Sequence, residues 1–240
     1  MPDTVLKLVQ DFTSMRGLPV PGTLSGNDPQ IRQILGCLQA YADTIIEKYD
    51  WQALRRRVTF TVPLAQESQG SIYNLCGPDF VRITNETIWD MTNRRPVFGP
   101  QAEPDYQAAI ALNESGTLYR YRIEEVLLKI WPIPAVGVDL SWFWVSSNWV
   151  RDVDGVYKSQ ITRDTDTLIF SDRMTRIALH AFWLRAKNLP FELEMAEFVT
   201  MAVQSAATTS PARRYALDSE GAHNDVKPGI YIPTGAYIAP

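Results

Sequence analysis

The sequence predicts an α+β fold in which a β region is inserted between two helical regions. Apolar residues recur at helical spacing up to about residue 50 and again after residue 170. Between these limits they alternate or run together, and Val, Ile and aromatic residues are abundant. Because the strands are grouped, we expect a helical bundle of N-terminal helices and a C-terminal helix pair, plus a mainly antiparallel β region.

Two N-terminal helices are predicted. Residues 3–16 place Val5, Leu8, Val9 and Phe12 on one helical face, and the prolines and glycines of residues 17–22 end this helix. Asp28 and Pro29 are typical of an N-cap followed by a first-turn proline. The longer helix that follows has an apolar face made of Ile31, Ile34, Leu35, Leu38, Ala42, Ile45, Ile46 and Tyr49.

Three stretches of the β region have strand patterns, namely RRRVTFTVPL from Arg55, YRYRIEEVLLKIWPIP from Tyr119 and VDLSWFWVSS from Val138. In the third stretch, one face carries Val138, Leu140, Trp142 and Trp144, and the other carries Phe143 and Val145. A strand that is apolar on both faces is covered on both sides. We expect that cover to come from the chain's own domain or from a neighbouring subunit.

A C-terminal helix pair is predicted after Phe170, with Ser171 or Asp172 as the first cap. The first helix has a stripe of Met174, Ile177, Ala178, Ala181 and Leu184, and the sequence NLP ends it. The second has Leu193, Ala196, Val199, Ala202, Val203 and Ala206. We therefore predict one domain over residues 1–208, with a helical part (1–50 and 171–208) and a β part (51–170).

Residues 209–240 differ from the rest, because prolines, glycines and small residues are scattered through them without a sustained period. A segment of this kind does not build a core of its own. Its apolar and basic side chains suit docking on a partner. We predict an extended C-terminal docking arm whose contacts are made by Arg213, Arg214, Tyr215, Leu217, Ile230, Tyr231, Ile232, Tyr237 and Ile238.

Composition limits the classes of function. The 240 residues are 45% hydrophobic and 21% charged, with a formal net charge of -4, which disfavours a general nucleic-acid binder. Two cysteines and two histidines form neither a disulfide framework nor a zinc site at ligand spacing. The N-terminus lacks a signal-peptide pattern, and no apolar run is long enough to span a membrane. We expect assembly in a cytoplasm, without a membrane partner or a cofactor.

The stretch ITRDTDTLIF, with Asp164 and Asp166, permits two interpretations. A phosphatase nucleophile loop has the form D-x-D-x-T or D-x-D-x-V after a buried apolar strand. Here Leu168 stands in the last place of the motif and the polar Thr162 and Arg163 precede it. We therefore favour a structural turn before a helix.

The other candidate catalytic groups favour structural roles. His180 lies among apolar residues of a predicted helix, which is typical of a half-buried histidine, and His223 lies in the arm. Neighbouring Glu124 and Glu125 would point to opposite faces of a strand, unlike a glycosidase pair. The set Glu192, Glu194 and Glu197 is typical of a solvated helix face. We predict no catalytic or metal residue.

Arginines interleaved with aromatic residues are typical either of single-strand binding or of a protein interface. With seven tryptophans and no catalytic signature, we favour an interface. The candidate residues for contact with a neighbouring subunit or a tail nozzle are Arg55, Arg57, Tyr119, Tyr121, Trp142, Trp144 and Trp149.

Several stretches, taken in order, resemble a known family. WQALRRRVTFTV follows a long helix, and YNLCGPDFVRI is similar to a Tyr-x-Leu-Pro-x-Asp-Phe-x-Arg pattern. ETIWDM, RRPVFG, YRYRIEEVLLKIWPIP and DTDTLIFSDRMTRIALHAFWLRAKNLPFELEMAEF follow. Over residues 31–203 this order is similar to the head-to-tail adaptor (connector) proteins of short-tailed phages, of the tail tubular protein A type.

The resemblance implies a structural virion protein rather than an enzyme. Such adaptors form a ring, usually of twelve copies, between the portal and the tail nozzle, with tail fibres as possible further partners. The C-terminal arm would dock on the portal, and double-stranded DNA would pass through the bore without specific binding. The resemblance also implies that Asp164 and Asp166 are structural. Two alternatives remain open, a tail-associated peptidoglycan-degrading enzyme and a nucleic-acid binding module.

Overall fold

A computed structural model of the protein describes residues 2–26, 28–113, 116 and 118–209. Its order of helices, strands and helices confirms the predicted α+β class. The helices are α1 (Val5–Met15), α2 (Pro29–Lys48), α3 (Ile72–Cys76), α4 (Glu103–Ala111), α5 (Asp172–Ala186) and α6 (Glu192–Thr209). The strands are β1 (Arg55–Thr61), β2 (Ser68–Ser71), β3 (Phe80–Ile83), β4 (Trp89–Asp90), β5 (Arg95–Pro96), β6 (Arg120–Glu124), β7 (Leu127–Trp131), β8 (Asp139–Ser146), β9 (Val150–Arg151), β10 (Tyr157–Lys158) and β11 (Thr167–Leu168).

Helices α1, α2 and α5 begin at side-chain caps. The Asp28 carboxylate accepts a hydrogen bond from the N–H of Gln30 at 2.8 Å, and Pro29 occupies the first turn of α2. The Ser171 hydroxyl accepts from the N–H of Met174 at 3.3 Å at the start of α5. Each bond satisfies one of the N–H groups that a helix leaves unpaired at its start. The caps predicted at Asp28 and Ser171 are confirmed.

The four long helices enclose one apolar cluster, here called the helical core. It contains the buried faces of α1, α2 and α5, and residues of α6 close it. The Tyr41 ring packs edge-on against Phe170 and Phe198, with ring centroids 5.7 and 5.6 Å apart. Such aromatic contacts stabilise a core by about 1 kcal/mol beyond the area that they bury.

The central sheet is built on β8. Along one side β8 pairs antiparallel with all seven residues of β1. Along the other side it pairs with β3 near Trp144 and with β4 near Leu140, and β5 extends the sheet from β4. A second sheet has the order β2-β7-β6, and a small third sheet has the order β10-β9-β11.

Strand β8 separates the helical core from a second cluster, here called the β core. Leu140, Trp142 and Trp144 point into the β core, whereas the next residue, Val145, points into the helical core. Successive side chains of a strand point to opposite faces, so one strand can serve both clusters. The sequence predicted that both faces of this strand are covered. On the second face this holds for Val145, which is buried, whereas Phe143 is 42% exposed in the single chain.

Helix α6 packs on a different face from the predicted one. Phe198 and Ala202 are buried, and Met195 and Met201 pack against the helical core. Of the predicted stripe, only Ala202 is buried, and Ala206 packs partly against the core. The remaining stripe residues, Leu193, Ala196, Val199 and Val203, are exposed. The prediction was wrong because α6 is apolar on two faces, and spacing alone does not distinguish them.

Arg82 of β3 joins the β part to the end of α2. Its guanidinium donates to the carbonyl oxygens of Ile46 and Tyr49, at 2.6 and 3.0 Å, and to the Asp50 carboxylate at 2.7 Å. The carbonyl groups of a last helical turn have no partner within the helix and attract cations. Arg82 therefore fixes β3 against the C-terminal end of α2.

Asp79, three residues before Arg82, holds the end of β8. Its carboxylate accepts from the Ser146 hydroxyl and from the Asn148 amide, the latter at 3.0 Å. Its carbonyl accepts from the N–H of Ser147 at 2.8 Å. The Asp-Phe-x-Arg portion of the family-like motif thus anchors β3 to both β8 and α2.

Tyr121 provides a test of the β core. Its ring is buried against Gly99, where a Cβ atom would lie 2.5 Å from the Tyr121 carbonyl oxygen. Its hydroxyl has no hydrogen-bond partner among the described residues. Burial raises the pKa of Tyr121 to about 12. The buried hydroxyl is therefore a desolvated polar group without compensation.

We expect Y121F to stabilise the protein by about 1 kcal/mol, because it removes the unpaired hydroxyl and keeps the ring. The matched control is Y106F, since the Tyr106 hydroxyl donates to Glu67 at 3.2 Å. Loss of that bond should destabilise by about 1 kcal/mol. Urea unfolding would measure both changes, and equal destabilisation by the two substitutions would contradict this account.

Candidate functional site

Asp164 and Asp166 lie in the turn before β11, against the start of α1. The Asp166 carbonyl accepts from the N–H of Val5 at 2.8 Å, and the Asp164 carbonyl accepts from the N–H of Leu6 at 3.4 Å. The Asp164 carboxylate accepts from the N–H of Leu24 at 2.7 Å. Because the first N–H groups of a helix have no partner within it, the turn supplies acceptors that α1 lacks.

The Asp166 carboxylate is fully buried and accepts several hydrogen bonds. The Lys158 ammonium donates to it at 2.8 Å, and so do the N–H groups of Thr162 and Arg163, at 2.8 and 2.9 Å. Burial acts to raise the pKa of Asp166, but the bonds from Lys158 and the two N–H groups outweigh it and lower that pKa. The carboxylate is therefore held as an anion.

The contacts of both aspartates are those of a structural turn, the interpretation that the sequence favours. The two carboxylates carry hydrogen bonds within the fold, and the turn leads directly into Phe170 and α5. No group of three or more His, Cys, Asp or Glu residues in the described part of the chain is arranged to hold a metal ion.

His180 lies half-buried where α5 meets α1. Arg16 donates to its Nδ1 at 2.9 Å, and its ring packs edge-on against Phe12 with centroids 5.0 Å apart. Burial, and then the Arg16 charge, lower the pKa of His180. The predicted half-buried histidine is confirmed, whereas His223 lies outside the described residues.

Four of the predicted interface aromatics belong to the chain's own cores. Tyr121, Trp142 and Trp149 are each 1% exposed and Trp144 is 5% exposed. The Trp149 indole donates to the carbonyl of Ser159 at 2.8 Å. These side chains have almost no surface left for a partner. They lie in the interior and not at the predicted interface. Pattern alone could not separate an interior aromatic strand from an interfacial one.

The other three predicted interface residues keep accessible surface, but they lie in different places. Arg57 is exposed on β1 and its Nε donates to the Ser141 hydroxyl at 3.0 Å, while Arg55 is half-buried on the same strand. Tyr119 is half-buried just before β6, in the β2-β7-β6 sheet region. The two arginines and Tyr119 therefore lie in different sheet regions and do not form one cluster through strand pairing. The predicted arm contacts, Arg213 to Ile238, lie outside the described residues.

The exposed face of α6 is a surface that sequence analysis assigned to the core. Leu193, Val199 and Val203 are 80%, 42% and 50% exposed, and Leu189 precedes them in the loop before α6. The sequence did contain a signal for this surface. Helix α6 has apolar residues on two faces, and a helix of this kind needs a packing partner on both. Several large apolar side chains exposed along one helix indicate an interaction site.

A second accessible surface is a cleft of about 320 Å³ in the β part. Four consecutive residues of β3, Phe80–Ile83, line one side. Tyr121 and Ile123 of β6 line the cleft as well, with Tyr73 and Val126 beside them. The lining is mainly apolar, and it was not predicted because the two walls come from separate sheets.

Neither a family model nor a curated protein matches the chain. In the described part of the chain, we find no helix that is both long and apolar enough to cross a membrane.

Removing the buried charge tests the aspartate turn. We expect D166N to lower the free energy of unfolding at pH 7 by about 3 kcal/mol, because it leaves Lys158 without its anionic partner. The matched control D164N keeps an oxygen that can accept from Leu24, so its effect should be much smaller. Thermal or urea unfolding would measure both, and comparable losses would contradict the assignment.

The same variant has a defined pH dependence. The folded state lowers the pKa of Asp166 below its unfolded value near 3.8. Its contribution is therefore complete above that value and is lost as the pH falls through the lower folded pKa. The stability difference between the original protein and D166N should shrink in that acid range, whereas a constant difference would contradict the pKa assignment.

Proposed function

We propose that the protein is a ring-forming head-to-tail adaptor of a short-tailed phage, which joins the portal to the tail nozzle and lines the channel for genome passage. The observation that carries the proposal is the pair of separate accessible apolar surfaces, the α6 face and the β-part cleft. The order of family-like motifs from residue 31 to residue 203 supports it independently.

Two unlike surfaces suit a ring. In a closed ring each copy meets its neighbours through a heterologous contact, so one surface of a copy binds a different surface of the next. A chain with a single apolar patch would instead favour a two-fold dimer. The helical part and the β part each contribute accessible apolar residues, of which Leu193 and Val81 are examples.

The proposed partners follow from this arrangement. The helical part and the arm, residues 209–240, would contact the portal, and the β part would contact the nozzle and tail fibres. Twelve copies would surround double-stranded DNA. The net charge of -4 suits a bore that releases DNA, because fixed cations would bind its phosphates. The protein would act in the virion, at the head-tail junction, as a structural component without enzymatic activity.

The native mass of the purified chain, alone and mixed with the portal protein encoded by the same genome, tests the proposal. We expect a ring-sized complex in the mixture, because the portal presents a circular template. A chain that stays free of the portal at every salt concentration would overturn the adaptor function.

The contribution of the arm can be measured in the same assay. We expect a chain that ends after Ala207 to keep its melting temperature, since the helical-core residues found in the described part of the chain all precede that point. Its association with the portal should weaken. Unchanged portal binding would show that the arm is not part of the proposed interface. Loss of folding would show that the arm is part of the folded domain.

The α6 face provides a point-mutation test. We expect L193K and V203K to leave stability within about 0.5 kcal/mol, because both side chains are exposed. Assembly or portal binding should be lost, since a lysine in an apolar contact must be desolvated. The matched control is V153K, at a residue that is 70% exposed in the β part. Normal assembly of all three variants would exclude the α6 face.

A further inference from the structure

Around Trp144 and Val145 the central sheet has two free edges on opposite sides of β8, whereas near Leu140 the strands β4 and β5 continue the side on which β3 lies. At the level of Trp144 and Val145, β1 pairs with one side of β8 and β3 pairs with the other. Among the described strands, neither β1 nor β3 pairs with any strand except β8. The three-stranded unit β1-β8-β3 can therefore be extended on both sides.

The free edge of β3 borders the cleft described above. All four residues of Phe80–Ile83 line the cleft, so the cleft runs beside β3, whose register against β8 shifts between Phe80 and Arg82. Val81 is 38% exposed there. A strand edge offers alternating N–H and C=O groups, which another extended backbone satisfies.

The free edge of β1 is polar and basic, in contrast to the mainly apolar cleft beside β3. Its exposed residues are Arg57, Thr59 and Thr61, which alternate along the strand, while Val58 and Phe60 pack against the β core. An open edge of this length is a template for pairing with another chain. Arg57 places a cation beside that edge.

Charge is also complementary between the two edges. Strand β1 begins with three arginines, Arg55–Arg57. The cleft beside β3 contains the exposed carboxylate of Glu125, for which no ion pair is found in the described part of the chain. The cleft arginine, Arg82, is already neutralised by Asp50. The cleft therefore presents net negative charge to an incoming strand.

We propose that β1 of one copy pairs with β3 of the next copy, so that the central sheet continues from subunit to subunit. Both strands run antiparallel to β8, so they are parallel to each other. A small rotation between neighbouring copies keeps them nearly parallel, within the usual twist of paired strands. This inference rests on the ring of the proposed function and identifies the contact that would close it.

A two-fold dimer is distinguished by the same geometry. It would pair like with like, β1 with β1 or β3 with β3, in an antiparallel arrangement. The charges disfavour the β1 pairing, because two arginine-rich edges would repel each other. The unlike pairing brings Arg57, the exposed arginine of β1, toward Glu125 of the next copy.

Cysteine cross-linking of the full-length chain, alone and on the portal, tests the contact. V81C would be combined in turn with R57C, T59C and T61C, since all four positions are exposed. We expect at least one double variant to form a ladder of disulfide-linked dimers, trimers and larger species under mild oxidation, reversed by reductant. The single variants should form none. Melting curves would show that the variants are folded.

Two controls make the result specific. The unmodified chain reports on Cys37 and Cys76, which are buried and half-buried. The pair V81C and V153C places a more accessible thiol away from the sheet edge, since Val153 is 70% and Val81 38% exposed, and it should form no ladder. A ladder from this pair would mean random collision and would overturn the proposal.

The remaining outcomes separate the edge contact from the adaptor function. Dimers from V81C or T59C alone would indicate two-fold pairing and overturn the proposal. A ring-sized native mass without a cross-link in any combination would also overturn it, while the adaptor function would stand. A ladder from a chain that never binds the portal would support the contact between β1 and β3 and would rule out the adaptor function.

Discussion

The fold depends on the alternation of side chains along β8. Trp144 fills the β core and its neighbour Val145 fills the helical core, so a single extended segment forms a wall of both clusters. A slip of one residue in register would exchange these side chains between two clusters of different shape. The pairing of β8 with β1 on one side and with β3 and β4 on the other fixes that register.

Partly buried polar contacts then fix the remaining elements to the central sheet. Arg82 joins β3 to the last carbonyl groups of α2, and the Asp79 carboxylate joins it to the end of β8. The turn with Asp164 and Asp166 supplies acceptors to α1 in the same way. In each case a polar group satisfies backbone atoms at the end of an element, where regular hydrogen bonding stops. Apolar burial supplies most of the stability, while these contacts fix the positions of the elements.

The parts of the fold that sequence analysis predicted are those governed by local interactions. The caps of α2 and α5 depend on Asp28 and Ser171, whose partners lie within three residues. The two-residue strands, such as β4 and β9, could not be predicted, because so short a segment has no period. They exist through pairing with strands distant in sequence.

The candidate surfaces show the same limit. Leu193, Val199 and Val203 are as apolar as Met195, Phe198 and Ala202, and only packing against the rest of the helical core decides which set is buried. The burial of Trp142 likewise depends on the second sheet, which is not encoded near β8. Sequence analysis could therefore identify apolar segments but could not divide them between interior and surface.

The contact between the aspartate turn and α1 has a consequence for synthesis of the chain. Val5 and Leu6 emerge from the ribosome long before Asp164 and Asp166, and the α5 residues that cover α1 emerge later still. Until then the nascent first helix lacks both its acceptors and its apolar cover. Long-range contacts of this kind slow folding and leave apolar surface exposed in the interim. The bundle can therefore close only after α5 and α6 have emerged from the ribosome.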